Sequence, residues 1–332
     1  DVVGLIQHSR RPSTLKSYAH HWDVFSKWCS DHQCSAGTVV PVRVLDFLSE
    51  GFALGLAAST LRAQWAAVRA FRSPDFECVE PLVSRLLKGC RLERPRLRTL
   101  SPPWDLPLVL SALQGAPFEP LEEVDMKFLT LKVVFLVAIV SARRVGELGA
   151  FLCSAPFLKV FPDRIVLRPD PRFRPKVESK FHVSQEIVLP SFPSLDASNA
   201  GCGSHLLDVR RAILVYLSRT EALRKVDNLF VTFGPVNQGL KPSLSTLSRW
   251  VKQAIVLAYE AKGSQVASSI QGRSTRGMAS SWAAFKGVAM EDICNAATWA
   301  SPGTFMTHYR LRLGGSSSSD FGVSVLQSSS VN

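Results

Sequence analysis

The chain has 332 residues, enough for about two domains at a soft prior of about 150 residues each. Hydrophobic residues make up 46% of it and charged ones 20%, which excludes a collagen, a disordered tail and a disulfide miniprotein. Lysine and arginine number 39 against 27 acids, a formal net charge of +12, so a polyanionic partner is expected, nucleic acid ahead of anionic membrane.

Ser13 is placed to cap a first helix on which Leu15, Tyr18, Trp22, Phe25 and Cys29 recur at steps of three and four. Further helical stretches are expected at residues 42–48, after Ser59 with Leu61, Trp65, Val68 and Phe71, and at 82–87. Residues 1–90 therefore read as an all-helical domain. Between Arg85 and Arg98 the basic side chains Arg85, Lys88, Arg91, Arg94, Arg96 and Arg98 face the single acid Glu93, with prolines inside and just beyond. Residues 91–104 read as a basic linker. Arg91, Arg94, Arg96 and Arg98 are the candidate DNA-binding residues, as a strap along a phosphate backbone, and a solvated tether is the alternative.

The texture then changes to helices mixed with short strands. Helices are expected at 106–113, 124–140 and 145–152, and strands at 164–168 and 186–189, joined by a long basic connection carrying Lys176 and Lys180. Helices follow at 206–217 and 244–261 with an apolar segment at 229–233 between them, and three short helical patterns end near Arg312. The mixed domain is set at 105–315, with a loose Ser-rich tail at 316–332. The fold class is mainly α with a small β-sheet. The longest apolar run, Val133 to Val140, is far below the roughly 18 residues of a membrane span and predicts a buried core helix, with no membrane partner.

Seven cysteines scattered from Cys29 to Cys294 predict a reducing compartment and thiols packed as small hydrophobes. Cys29, His32 and Cys34 are ligand types, but no second pair follows at a finger-like distance, so no metal is expected. Gly234 and Gly239 stand at P-loop spacing, yet Leu240 occupies the lysine position, and zincin, hydrolase-elbow and dinucleotide motifs do not occur.

Basic groups cluster in two unusual places. Arg143 and Arg144 directly follow the most apolar stretch, where charge needs a partner, and Glu147 lies three residues beyond Arg144, able to hold its guanidinium if a helix begins at Val145. A plain salt bridge is the alternative. Arg273 and Arg276 enter a helix three residues apart, where like charges repel unless an anion sits between them, and a helix start suits an anion. A solvated arginine pair is the alternative. Ser301 and Pro302 are good cap and first-turn residues for a helix bearing Phe305 and Tyr309, and by pattern alone Tyr309 and Trp299 are packed aromatics.

In this order the segments resemble the tyrosine recombinases, the phage integrase family, and most closely the recombinases of DIRS and Ngaro type retrotransposons. Pro12-Ser13-Thr14-Leu15 with Tyr18 and Trp22 is similar to the opening helix of the core-binding domain, and Arg143-Arg144-Val145-Gly146-Glu147-Leu148 to the first arginine box. Phe173-Arg174-Pro175-Lys176 sits where the β-hairpin lysine is expected, and Arg273-Ser274-Thr275-Arg276 in the H-x-x-R box. Ala296 to Phe305, followed by Tyr309, is similar to the terminal segment that runs from tryptophan to nucleophile.

The resemblance implies a SAM-like helical core-binding domain and a mixed α+β catalytic domain. It implies a nuclear enzyme that breaks and rejoins double-stranded DNA through a 3′ phosphotyrosyl intermediate, as a tetramer on DNA, without cofactor or catalytic metal. It assigns Arg144 and Arg276 to the scissile phosphate, Lys176 to the leaving oxygen with Lys180 in reserve, Trp299 to a non-bridging oxygen and Tyr309 to attack. Glu147 supports Arg144. Fork-shaped guanidiniums suit a pentavalent transition state, and a phenol with an ordinary pKa near 10 needs such activation. Arg273 departs from the family, since guanidinium cannot shuttle a proton as imidazole does, though it can bind phosphate. The second reading is therefore a relative that keeps the fold and the basic clamp but cuts poorly.

Overall fold

The structure, a computed structural model, describes residues 10–72, 76–96, 100, 102–176, 185–192, 205–265 and 270–313. The chain divides into two compact units, Asp1–Thr99 and Leu100–Asn332.

The first unit is helical throughout its described residues: α1 (Pro12–Asp31), α2 (Arg43–Ala53), α3 (Ala58–Arg72) and α4 (Glu80–Glu93), with one 3-10 turn before α4. Pro12 occupies the first turn of α1, where its fixed φ suits the helix and its missing N–H costs nothing. The cap position therefore falls on Arg11, and Ser13, expected as the cap, lies inside the first turn. Phe25, Phe47, Leu48, Leu61, Trp65 and Val68 form the core of this unit. At the end of α1 the chain turns back through left-handed Gln33 (φ 56°), whose N–H reaches Ser30 O at 3.0 Å while the Cys34 N–H reaches Cys29 O at 2.9 Å. That Schellman pattern lays Cys34 over Cys29. Burial, and then the Cys34 thiol, push the Cys29 thiol up to about 12.

Helix α4 runs to Glu93, so the basic segment expected as a linker from residue 91 begins inside a helix. Arg91 is exposed on its last turn. Arg94 is tied down, its guanidinium stacked 3.4 Å from the Phe52 ring centroid and donating to the Phe52 carbonyl. Arg96 is exposed, and Arg98 lies outside the described residues.

The second unit is built round α6 (Met126–Ser141), which is buried on nearly every side and capped by Asp125, whose carboxylate accepts the Lys127 N–H at 2.7 Å. Against it pack α8 (Val209–Thr220), α9 (Leu244–Ala261) and α10 (Ser274–Phe285), and α5 (Leu106–Ala112) packs on α9. Asp105, Asp208 and Ser243 cap α5, α8 and α9 with their side chains. The Asp208 cap starts α8 at Val209, later than the expected 206. The fully buried Lys132 donates to Leu113 O at 2.7 Å and pairs with Glu119, which Arg211 also holds at 3.1 Å.

Helix α7 is a single turn, Val145–Leu148, where the pattern predicts a helix to 152. Phe151 and Leu152 leave it as isolated bridges to Pro169 and Asn228. Strands β1 (Leu158–Val160), β2 (Arg164–Leu167) and β3 (Ile187–Pro190) form an antiparallel sheet in that order, with Leu158 opposite Leu167 and Leu167 opposite Ile187. β1 is too short for periodicity to reveal. The segment 229–233 forms no strand; its Leu229, Phe230 and Val231 fill the core. Helices α11 (Met290–Ala297) and α12 (Pro302–His308) close the unit. Among the described residues no helix is long and apolar enough to cross a membrane.

Candidate active site

The arginine box is aimed by a corner. Helix α6 ends at Ala142 in the left-handed conformation (φ 51°), which turns the chain sharply out of the core and delivers Arg143 and Arg144 to the mouth of α7. Glu147, buried on the first turn of α7, accepts from Arg144 Nη1 at 3.1 Å, as the three-residue spacing predicts. Arg143 approaches the other oxygen of the same carboxylate at 3.6 Å, close enough for attraction and too far for a hydrogen bond. Arg143 is buried, and its Nε has no partner. Burial pulls its pKa down while Glu147 opposes the shift. A cavity of about 40 Å³ beside this pair is lined by Arg143, Glu147, Asp170, Phe173, Pro175 and Thr298, so the start of the β2–β3 connection rests against the arginine box.

Arg276 stands on the first turn of α10. That turn is fixed by Gly272, where a Cβ would lie only 2.4 Å from the Ser248 carbonyl of α9, a gap that only glycine fits. Arg276 is 2% exposed, and its Nη2 donates to Ala297 O. Its Nε and Nη1 have no partner among the described residues, an expensive arrangement for a buried cation. The guanidinium carbon lies 4.8 Å from the Trp299 ring centroid and 5.4 Å from that of Tyr309. Burial first, and then the charge of Arg144, pull its pKa down to about 10, while Glu147 and Tyr309 oppose the shift. Arg276 therefore remains a cation at neutral pH, pressed by the second cation Arg144 and partly relieved by Glu147.

Trp299 follows a second left-handed corner, Thr298 (φ 51°), at the end of α11. Its ring is buried and its Nε1–H has no partner among the described residues. Ala142, Ile293, Cys294, Ala297, Trp299 and Phe305 pack into one small core, which sets the corner at Ala142 against the residues on either side of Thr298. Tyr309 ends α12, half-buried, with its ring centroid 4.7 Å from that of Trp299. Among the described residues its hydroxyl has no hydrogen-bond partner. Pro302 starts α12 as expected, but Ser301 at the cap position makes no side-chain cap bond.

The structure thus brings Arg144, Glu147, Arg276, Trp299 and Tyr309 to one place. Arg273 is not among them: it is exposed before α10, with no hydrogen bond or ion pair among the described residues. Lys176 is exposed at the edge of the described segment, without a polar partner among the described residues, and Lys180 lies outside it. Sequence reading gave Arg143 no role, although its adjacency to Arg144 was the signal. It also missed Gly277 and Ser281 of α10, which hold the chain at Tyr309. Among the described residues no group of three or more His, Cys, Asp or Glu could hold a metal ion. Two guanidiniums, one indole N–H and a phenol brought this close are donor types that suit a tetrahedral anion whose charge grows during a displacement.

The fold is that of the tyrosine recombinases, a SAM-like helical domain followed by the recombinase catalytic fold. Residues 5–73 match the family description "Phage integrase, N-terminal SAM-like domain". Among solved structures, XerH site-specific recombinase bound to palindromic difH substrate, a post-cleavage complex, is similar with a TM-score of 0.59 at 12% identity, over 94% of this chain and 79% of that one. The Tn1549 transposon integrase in complex with transposon right end DNA gives a TM-score of 0.58 at 12% identity, over 98% and 97%. A lambda integrase tetramer bound to a Holliday junction gives 0.52 at 13% identity, over 94% and 77%. No curated protein matches the sequence.

Proposed function

We propose that the chain is a DNA breaking-and-rejoining recombinase, the integrase of a DIRS or Ngaro type retrotransposon, working in the nucleus as a tetramer on double-stranded DNA. One observation carries the reading. Arg276 is a buried cation with two unpartnered nitrogens, set against Trp299 and Tyr309 and under the field of Arg144. A scissile phosphate supplies the missing anion. Arg144, held by Glu147, and Arg276 neutralise the non-bridging oxygens, and Trp299 Nε1–H gives one more hydrogen bond. The Tyr309 oxygen gives up its proton to solvent and forms a bond to phosphorus as the bond to the 5′ oxygen breaks, and Lys176 gives its proton to that 5′ oxygen, with Lys180 in reserve. The phosphotyrosyl link keeps the bond energy for rejoining, so the step needs neither nucleotide nor metal. The structural neighbours crystallised on DNA support the partner.

The experiment is incubation of the full chain with a nicked suicide duplex. A covalent protein–DNA adduct is expected, lost in Tyr309→Phe. A wild-type chain that binds the duplex and never forms the adduct overturns the reading. A specific observation favours the second reading, a DNA-binding relative that cuts slowly: Arg273 is exposed where the family has histidine, and a guanidinium cannot accept the phenolic proton. Arg273→His speeding adduct formation would identify that defect.

A further inference from the structure

A serine inside a helix commonly turns its hydroxyl back to its own backbone, as Ser280 does to Arg276 O at 2.6 Å. Its neighbour Ser281 does otherwise. Ser281 is 3% exposed, donates to the Tyr309 carbonyl at 3.3 Å and accepts the Leu311 N–H at 2.9 Å. One hydroxyl thus holds the chain at Tyr309 and again two residues beyond it. One turn earlier on the same face of α10 stands Gly277, where a Cβ would lie 3.2 Å from the Tyr309 carbonyl oxygen and 3.8 Å from its Cδ1. The missing side chain lets the tyrosine settle onto the helix. Beyond it, the Arg312 N–H donates to Leu100 O at 2.8 Å and Leu313 is buried in the main core. Arg276 is on the same helix, directly before Gly277.

We infer that Ser281, seated above Gly277, is the positioning residue for Tyr309, holding the phenol in register with the Arg276 guanidinium through one shared helix. This rests on the reading of Tyr309 as nucleophile. Ser281 touches no reacting atom; it acts through the backbone on either side of the tyrosine.

The test is single-turnover adduct formation by the full chain on the suicide duplex, with DNA affinity measured at the same salt. Ser281→Ala is expected to slow the adduct about 10- to 100-fold, the scale of a misplaced reacting group, with affinity unchanged. Gly277→Ala should slow it in the same way while every hydroxyl remains. Ser280→Ala, whose hydroxyl serves only its own helix, should keep the rate. A wild-type rate in Ser281→Ala, an equal loss in Ser280→Ala, or a loss fully explained by weaker DNA binding each overturns the inference while the recombinase reading stands. If the wild type forms no adduct, that reading fails instead, and hydrogen exchange decides the clamp. The Leu311 amide should exchange faster in Ser281→Ala than in Ser280→Ala, and equal rates overturn it.

Discussion

Ala142 and Thr298 share one backbone conformation, left-handed at φ 51° in each, and each stands immediately before a segment of the site. Neither is a glycine, and Thr298 is β-branched, so each corner is strained by about 1–2 kcal/mol. Both are buried, and Ala142 packs in the small core with Trp299 and Phe305. Strain concentrated at two such corners fixes where Arg143 and Trp299 leave the chain.

Arg276 is expected to cost stability in the absence of DNA. Arg276→Met removes a buried cation with two unpartnered nitrogens and keeps much of its volume. Urea unfolding should show a chain unchanged to about 2 kcal/mol more stable, with no covalent adduct. A loss of more than about 1 kcal/mol would show that the charge serves folding.

Trp299→Phe keeps an aromatic ring against Tyr309 and deletes an N–H that has no protein partner. The smaller ring should cost about 1–2 kcal/mol in cavity, read by the thermal midpoint. Losing one donor to the transition state should slow the adduct about 100-fold with DNA affinity nearly kept. Equal losses in affinity and rate would place the indole in ordinary binding.

Glu147 is the shared anion of Arg143 and Arg144. Glu147→Gln strands buried Arg143 without a counter-charge, an expected loss of about 3–5 kcal/mol in urea unfolding. The double variant Arg143→Met with Glu147→Gln should recover part of that loss. Strict additivity of the two changes would show that the pair is uncoupled.

Alkaline pH should weaken the first unit through Cys29. Its thiol, ordinarily near 9.0, is raised to about 12 in the folded chain by burial and by Cys34. Above pH 9 the unfolded chain releases a proton that the folded one keeps, so stability falls as pH rises towards 12, by at most about 1.4 kcal/mol per unit. Below pH 9 both states hold the proton and the effect vanishes. Cys29→Ala should flatten this slope in unfolding series at pH 8, 9 and 10; an unchanged slope would assign it to other groups.

What the sequence reveals here follows the range of the interaction. The Arg144 to Glu147 bond spans three residues at a helix start, so spacing alone predicts it. The long helices announce themselves by periodicity, and α6 by being apolar all round. The approach of Arg144, Arg276 and Tyr309 depends on the packing of α6, α10 and α12, and no local pattern encodes it. Ser281 reads as filler in a helix and Thr298 as an ordinary loop residue, because both act through backbone geometry. Strand β1 offers only Leu158, Lys159 and Val160, too few for alternation. The Ser13 cap fails because Pro12 claims the first turn.

The polypeptide after Tyr309 returns to its own core through the Arg312 to Leu100 bond. If the chain is the proposed recombinase, a subunit so built is expected to attack with its own Tyr309. Blending an Arg276-deficient preparation with a Tyr309-deficient one should yield mixed assemblies as inert as either parent, whatever their stoichiometry, whereas a chain that traded its terminal segment would regain turnover by complementation.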